Sequence, residues 1–284
     1  MFTGKRKAIE VHCWGGLGSQ LFALALIHDL ELRFPSRDSI LILHSSGVTK
    51  RAPEIASLPF ARNFRVVDDF SSSSKSRGLS VQKNSIRLLL KRIANYFGLV
   101  ASANTDLEYR KIRPWVKQIR GHYSRRTIPT EFLIGLNSFL DNRLDDASTD
   151  PNGMTVHYRL GDLLSLDDKA PVNVDRLATE IIRVQKSYPG KISLFSDSPQ
   201  TASALLLKCG INCDITKSHL ESLDVINLGR ISRYFVGTSS KISYWIICLR
   251  HLGGSQMTAS MPASDLPNLS PLIGAHASEL ICYY

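Results

Sequence analysis

The chain has 284 residues, a net charge of +10 and a sequence pI near 9.5, with 43% hydrophobic and 21% charged residues. That composition excludes wholesale disorder, and the length suits two α/β domains of ordinary size or one large one. The positive balance suits nucleic acid, anionic lipid or phosphorylated substrates and does not choose among them.

Five cysteines (Cys13, Cys209, Cys213, Cys248 and Cys282) form neither a disulfide framework nor a zinc pattern, since Cys209 and Cys213 have no second pair. A reducing cytoplasm is the expected compartment. Met1 to Lys7 is basic but no apolar core follows it, so no secretory signal is expected. No run of about 18 apolar residues suggests a membrane-spanning helix, so any membrane contact is expected to be peripheral, on the inner face.

In chain order, residues 8–13 (Ala-Ile-Glu-Val-His-Cys) read as a strand, Trp14 to Gln20 as a glycine loop, and Leu21 to Phe34 as an apolar helix closed by Pro35. A glycine loop before a helix lets backbone amides approach a ligand. It does not match the dinucleotide fingerprint. The pattern from Gly16 lacks the third glycine, and the next strand, Ile40 to Leu43, ends in His44-Ser45-Ser46 rather than in an acid for a ribose. Phe64 to Asp68 reads as a strand, Ser71 to Ser80 as a loop, and Ile86 to Phe97 as a basic helix that suits either solvent or an anionic surface. Tyr109 to Arg126 interleaves cations with aromatics. No RNA-binding module is recognisable there, and nucleic acid is not expected as a partner. Glu131 to Leu144 reads as a helix. Asp145 to Gly153, dense in turn formers, divides an N-terminal domain (1–150) from a C-terminal one (151–284).

The second half alternates strand and helix. Strands are expected at Met154–Tyr158, Lys191–Phe195, Ile211–Ile215 and Tyr234–Gly237. Helices are expected at Asn173–Tyr188 (with Val174, Leu177, Ile181, Ile182 and Val184 on one side), Pro199–Lys208, Leu220–Ile231 and Ile242–Leu252. The tail from Gly253 carries little pattern. Repeated strand–helix units imply an α/β fold with a parallel sheet, whose strand C-termini all lie on one edge. Three of those ends carry polar groups: His157, Arg159 and Asp162; Ser196 and Asp197; and Thr238, Ser239 and Ser240. Arg159 can clamp a diphosphate with its fork, hydroxyls and amides at a helix start can bind the same phosphates, and Asp197 can accept from a nucleobase or ribose. Each also has a plain structural role open to it: Ser239 and Ser240 as helix caps, Asp197 as a turn former, Arg159 as a partner of Asp162.

His157-Tyr158-Arg159-Leu160-Gly161-Asp162 resembles the His-x-Arg-Arg-Gly-Asp motif of α-1,2-, α-1,6- and protein O-fucosyltransferases. Trp14 to Phe22 is similar to the Gly-Gly-Leu-Gly-Asn-Gln-Leu-Phe opening of the bacterial α-1,2-fucosyltransferases of glycosyltransferase family 11. Gly121-His122-Tyr123, Phe195-Ser196-Asp197 and Val236 to Trp245 resemble, in order, three further elements of that family. The chain departs from it at Leu160, where the family has a second arginine, and at Ser19 and Ser239, where it has asparagines.

The resemblance implies a GT-B architecture of two Rossmann-like domains with parallel sheets, the acceptor on the N-terminal side and the donor on the C-terminal side. It implies an inverting, metal-independent α-1,2-fucosyltransferase that uses GDP-fucose and needs no cofactor. The acceptor is then a glycan or lipid-linked glycan of a surface polysaccharide. Carried over, Arg159 binds the diphosphate, His157 and Asp197 contact the nucleoside side, Ser239, Ser240 and Ser243 line the phosphates, and Gly16 and Gly18 let the N-terminal loop approach; Ser196 and Thr238 are expected to join the donor site. Asp162 is the expected base, with His12 and Asp167 behind it. Two alternatives stand beside this: a GT-B transferase with another nucleotide sugar, to which Leu160 points, and a non-catalytic nucleotide- or RNA-binding protein.

Overall fold

The computed structural model describes residues 8–45, 52–67, 97–143, 153–161, 163, 170–215, 221–252, 259–274 and 281–284. The chain forms two compact units, Met1–Phe132 and Leu133–Tyr284. The expected linker, the serine-rich loop and the basic helix at 86–97 fall outside the described residues apart from their last members, Gly153 and Phe97.

In the first unit β1 (Ile9–Trp14), β2 (Ser39–His44), β3 (Phe64–Val67), β4 (Val100–Ser102) and β5 (Gln118–Arg120) form one sheet in the order β3-β2-β1-β5-β4. Every pairing is parallel. Helix α1 (Leu17–Arg33) lies against β1 and β2 and buries residues on nearly every side, from Leu17 through Leu26 to Leu30. A helix start four residues before the expected Leu21 puts Gly18 inside its first turn. Phe34 leaves helical geometry just before Pro35, whose ring disfavours helix in the residue it follows. A short helix, α2 (Asp106–Arg110), is capped by Thr105, whose hydroxyl accepts from Glu108 N.

The basic, aromatic run at 109–126 contributes to internal structure. Arg126, 3% exposed, pairs with Asp29 and lies 4.3 Å over the Tyr109 ring. Arg33 donates to the carbonyls of Tyr109, Arg110 and Ile112, which anchors the run to the end of α1.

Helix α3 (Thr130–Asp141) leads from the first unit into the second. There β6 (Met154–His157), β7 (Ile192–Phe195), β8 (Asp214–Ile215), β9 (Tyr234–Gly237), β10 (Ala259–Met261) and β11 (Cys282–Tyr283) form a parallel sheet ordered β11-β10-β9-β6-β7-β8. Four helices connect these strands, α4 (Val174–Gln185), α5 (Pro199–Lys208), α6 (Ser222–Ile231) and α7 (Lys241–Leu252); a fifth, α8 (Leu266–Ile273), follows β10. The Asn173 side chain caps α4 by accepting from Asp175 N and Arg176 N. Its buried face is Leu177, Ala178, Ile181 and Val184, while Ile182, expected on that side, is 43% exposed. Val156, Leu160, Leu177, Ile181, Leu194, Leu206 and Val236 form the fully buried centre of the core. The tail is structured where the sequence suggested little: β10, α8 and β11 all lie beyond residue 253. Strands of two or three residues are too short for periodicity to register, and they are defined by the neighbour they pair with. No helix among the described residues is long and apolar enough to cross a membrane.

Candidate functional site

The second sheet reverses its winding at β6. From there the chain runs to β7 and β8 on one side, then to β9, β10 and β11 on the other. In open parallel sheets ligands bind beyond the strand C-termini at such a switch point. The residues leaving β6 and β9 therefore occupy the position where a ligand is expected, and these are Arg159 and Thr238-Ser239-Ser240.

All four residues of β6 are buried, as a central parallel strand requires. The turn after it is fixed from both neighbours. The Thr238 hydroxyl donates to His157 O and accepts from Arg159 N, each at 3.0 Å, tying the end of β6 to that of β9. On the other side Asp197 Oδ1 accepts from Leu160 N and Gly161 N, both at 2.9 Å. A Cβ on Gly161 would stand 2.2 Å from Asp197 Oδ2, so only glycine lets the carboxylate come this close. Arg159 is half-buried at the head of this double-pinned turn. Leu160 is fully buried in the core. The position that is a second arginine in the resembling motif thus faces inward here.

His157 and Ser243 lie beneath the edge, 8% and 0% exposed, joined by a 2.8 Å bond between His157 Nδ1 and Ser243 Oγ. Burial lowers the His157 pKa to about 4, with the Arg159 charge adding to this and Asp197 opposing it. Its imidazole is therefore neutral at pH 7. Ser196 Oγ accepts from Ser198 N and shapes the turn after β7. Ser240 is buried and caps α7, its hydroxyl accepting from Ile242 N and its carbonyl from Tyr244 N. Ser239 alone of the three hydroxyls after β9 is exposed, and it donates to Asp265 Oδ2 at 2.9 Å. Asp265 lies in the region the sequence left without pattern. The one signal for it was the Asp-Leu-Pro that opens α8, where proline sits in the first helical turn.

The first unit presents a different edge. Gly15 has φ +110°, open to glycine without strain, and Gly16 caps α1 in extended geometry. The amide of Leu17 is bonded to Glu54 Oε1 at 3.0 Å, and Gln20, 2% exposed, bonds Gly15 O, Ala52 O and Ile55 N. The start of α1 is thus already faced by a carboxylate of the same chain, which works against an anionic ligand at Gly16 and Gly18. Nothing in local spacing announced Glu54, which lies 37 residues from Leu17. His12 is 6% exposed, with Nδ1 2.8 Å from His44 Nε2 and Nε2 3.5 Å from Glu10 Oε2. Burial lowers its pKa, as do Arg120 and His44, while Glu10 opposes this. Trp14 stacks on His44 at 4.3 Å. Both ring nitrogens of His12 lie against side chains of its own sheet. Asp162 and Asp167 lie outside the described residues. Among the described residues no group of three or more His, Cys, Asp or Glu could hold a metal ion.

No protein-family model matches the chain, and no curated protein does. Solved structures do. E. coli heptosyltransferase WaaC, solved with ADP, aligns over 97% of this chain and 93% of its own at 10% identity and a TM-score of 0.51. POFUT1 in complex with GDP aligns over 92% and 99% at 10% identity and a TM-score of 0.44. A glycosyl transferase family 9 protein from Veillonella parvula aligns over 90% and 80% at 11% identity and a TM-score of 0.45. At such identities the likeness is one of fold, and the WaaC match carries it: mixed α/β with two parallel sheets, the architecture of GT-B glycosyltransferases.

Proposed function

We propose that the chain is an inverting, metal-independent glycosyltransferase that moves fucose from GDP-fucose to a glycan or lipid-linked glycan of a surface polysaccharide. The supporting observation is Arg159, held at the switch point of the second sheet by Thr238 on one side and Asp197 on the other. An arginine whose backbone is fixed at that edge is suited to neutralise the diphosphate as it leaves. The acceptor oxygen attacks the sugar carbon from the opposite face, the bond to phosphate breaks, and the hydroxyl proton passes to a base. Asp162 is the candidate for that base. His12 is a weaker one, since its nitrogens are turned to His44 and Glu10. The resemblance to fucosyltransferase motifs supports fucose. Leu160, being a core residue, supports a second reading in which the same chemistry uses another nucleotide sugar. The site of action is proposed to be cytoplasmic, peripheral to the inner membrane face.

The test is hydrolysis or transfer of GDP-fucose in EDTA, preceded by a thermal-shift screen of GDP, UDP, dTDP and CMP. Activity is expected to persist in EDTA and to fall by about 10²–10³ in Arg159→Ala, the size found when one charge-stabilising donor is removed from a transfer site. Strict dependence on a divalent metal, or full activity in Arg159→Ala, overturns the proposal. Selective stabilisation by a nucleotide other than GDP retains the transferase and removes fucose.

A further inference from the structure

Of the three hydroxyls after β9, Thr238 and Ser240 are occupied by the backbone, and Ser239 faces out. The direction of its hydrogen bond is fixed by what lies behind it. Asp265 is 3% exposed and accepts from Ser239 Oγ at 2.9 Å through Oδ2 and from Tyr244 OH at 2.8 Å through Oδ1. Asn268 Nδ2 donates in turn to the Tyr244 oxygen at 3.3 Å. Burial raises the Asp265 pKa, and the Tyr244, Ser239 and Asn268 groups oppose that by favouring the carboxylate. A carboxylate accepts only, so the tyrosine and the serine must both give it their single protons. Ser239 is left with lone pairs toward solvent. A phosphate oxygen also offers lone pairs, and two such atoms cannot bond to each other. Whatever meets Ser239 favourably carries an N–H or O–H.

We propose that Ser239, its proton held on Asp265, reads a hydrogen-bond donor of the nucleoside, a ribose hydroxyl or a base N–H, and takes no part in holding the diphosphate. Asp265 is the positioning residue and Ser239 the specificity-determining one. This rests on the nucleotide-sugar reading above and deepens it: the phosphates are left to Arg159, while the edge between β9 and β10 recognises the nucleoside. It also departs from the role that the motif resemblance implied for Ser239.

The test is calorimetric binding of GDP, ADP and UDP, of their 2′,3′-dideoxy forms, and of inorganic pyrophosphate, to the full chain. Ser239→Ala is expected to weaken the preferred nucleoside diphosphate about tenfold, the equivalent of one net hydrogen bond, and to leave pyrophosphate unchanged. Ser239→Thr, which keeps the hydroxyl, is expected to bind like the parent chain. Asp265→Asn supplies an amide that can donate to Ser239 and turn its proton outward, so it is expected to lose nucleotide but not pyrophosphate affinity. If the Ser239→Ala penalty vanishes with the dideoxy nucleotide, the donor is a ribose hydroxyl; if it persists, the donor belongs to the base. An equal loss for nucleotide and pyrophosphate, or no loss at all, overturns the assignment while the nucleotide site stands. Absence of nucleotide binding by the parent chain overturns the site and the assignment together.

Discussion

Burying a histidine beneath an arginine decides its charge and ties stability to pH. The His157 pKa falls from the usual 6.5 to about 4, chiefly through burial, while in the unfolded chain it titrates normally. Above pH 6.5 both states are neutral and the buried pair with Ser243 costs nothing in protonation. Between 6.5 and 4 the unfolded chain takes up a proton that the folded chain refuses, so unfolding becomes easier as pH falls. The loss amounts to about 3 kcal/mol near pH 4. Urea unfolding followed from pH 7.5 to 4.5 is expected to show this decline, and His157→Asn, which has no proton to gain, is expected to flatten it. An unchanged slope in the variant would place the titration elsewhere. His157 was legible as part of a motif, but its depth was not, because Ser243 reaches it from 86 residues away. Asp197 shows the same limit. Its type and its place after a strand suited a nucleoside acceptor, yet its Oδ1 holds the amides of Leu160 and Gly161.

Between helices, α6 and α7 approach closely because Gly229 has no side chain. A Cβ there would stand 2.6 Å from Ile246 Cδ1 and 3.1 Å from Cγ1 and Cγ2. Ile246 is fully buried and cannot swing out to make room. Alanine would gain about 1 kcal/mol in helix propensity over glycine. Overpacking a tight core costs about 1–3 kcal/mol, so Gly229→Ala is expected to lower stability on balance. Ile246→Val, which removes Cδ1, should itself cost about 1 kcal/mol. In that background the closest clash is gone while the two γ carbons remain at 3.1 Å, and Gly229→Ala is expected to cost less than it does in the parent chain. Denaturant midpoints of the four chains measure this, and additive changes would show that the two residues do not meet. Helices and strands were legible where chemistry marks their ends. Pro199 opens α5 and Tyr234–Gly237 lies between Arg233 and a capping run, and both spans match the expected ones. Strand β8 shrinks to two residues, and β10 and β11 gave no signal, since hydrogen bonding to the adjacent strand defines them and not their own residues.

For the whole molecule, strand–helix alternation made parallel sheets legible but not their order, and the order is what locates the switch point at Arg159. Nor did composition reveal which unit owns α3. The turn-rich stretch at 145–153 suggested a cut near residue 150, after that helix. The contacts tie it to the second unit. Asn227, 4% exposed, donates to Leu140 O at 3.0 Å, and Arg230 donates to Asn137 Oδ1 at 2.9 Å and pairs with Asp141. Arg143, just past α3, pairs with Glu221 and Asp224, and Leu136 and Leu140 are fully buried. Cutting at 150 would strip two buried leucines from the unit and leave the Asn227 amide without its acceptor. Losing each such leucine costs about 2–5 kcal/mol, against a total stability of about 5–15 kcal/mol for an ordinary domain. A fragment of residues 128–284 is therefore expected to unfold cooperatively and to bind the same nucleoside diphosphate as the full chain. A fragment of residues 151–284 is expected to have a far lower unfolding midpoint or no transition. Equal midpoints for the two would mean that α3 contributes no net stability to the second unit, and that the turn-rich stretch is the true boundary.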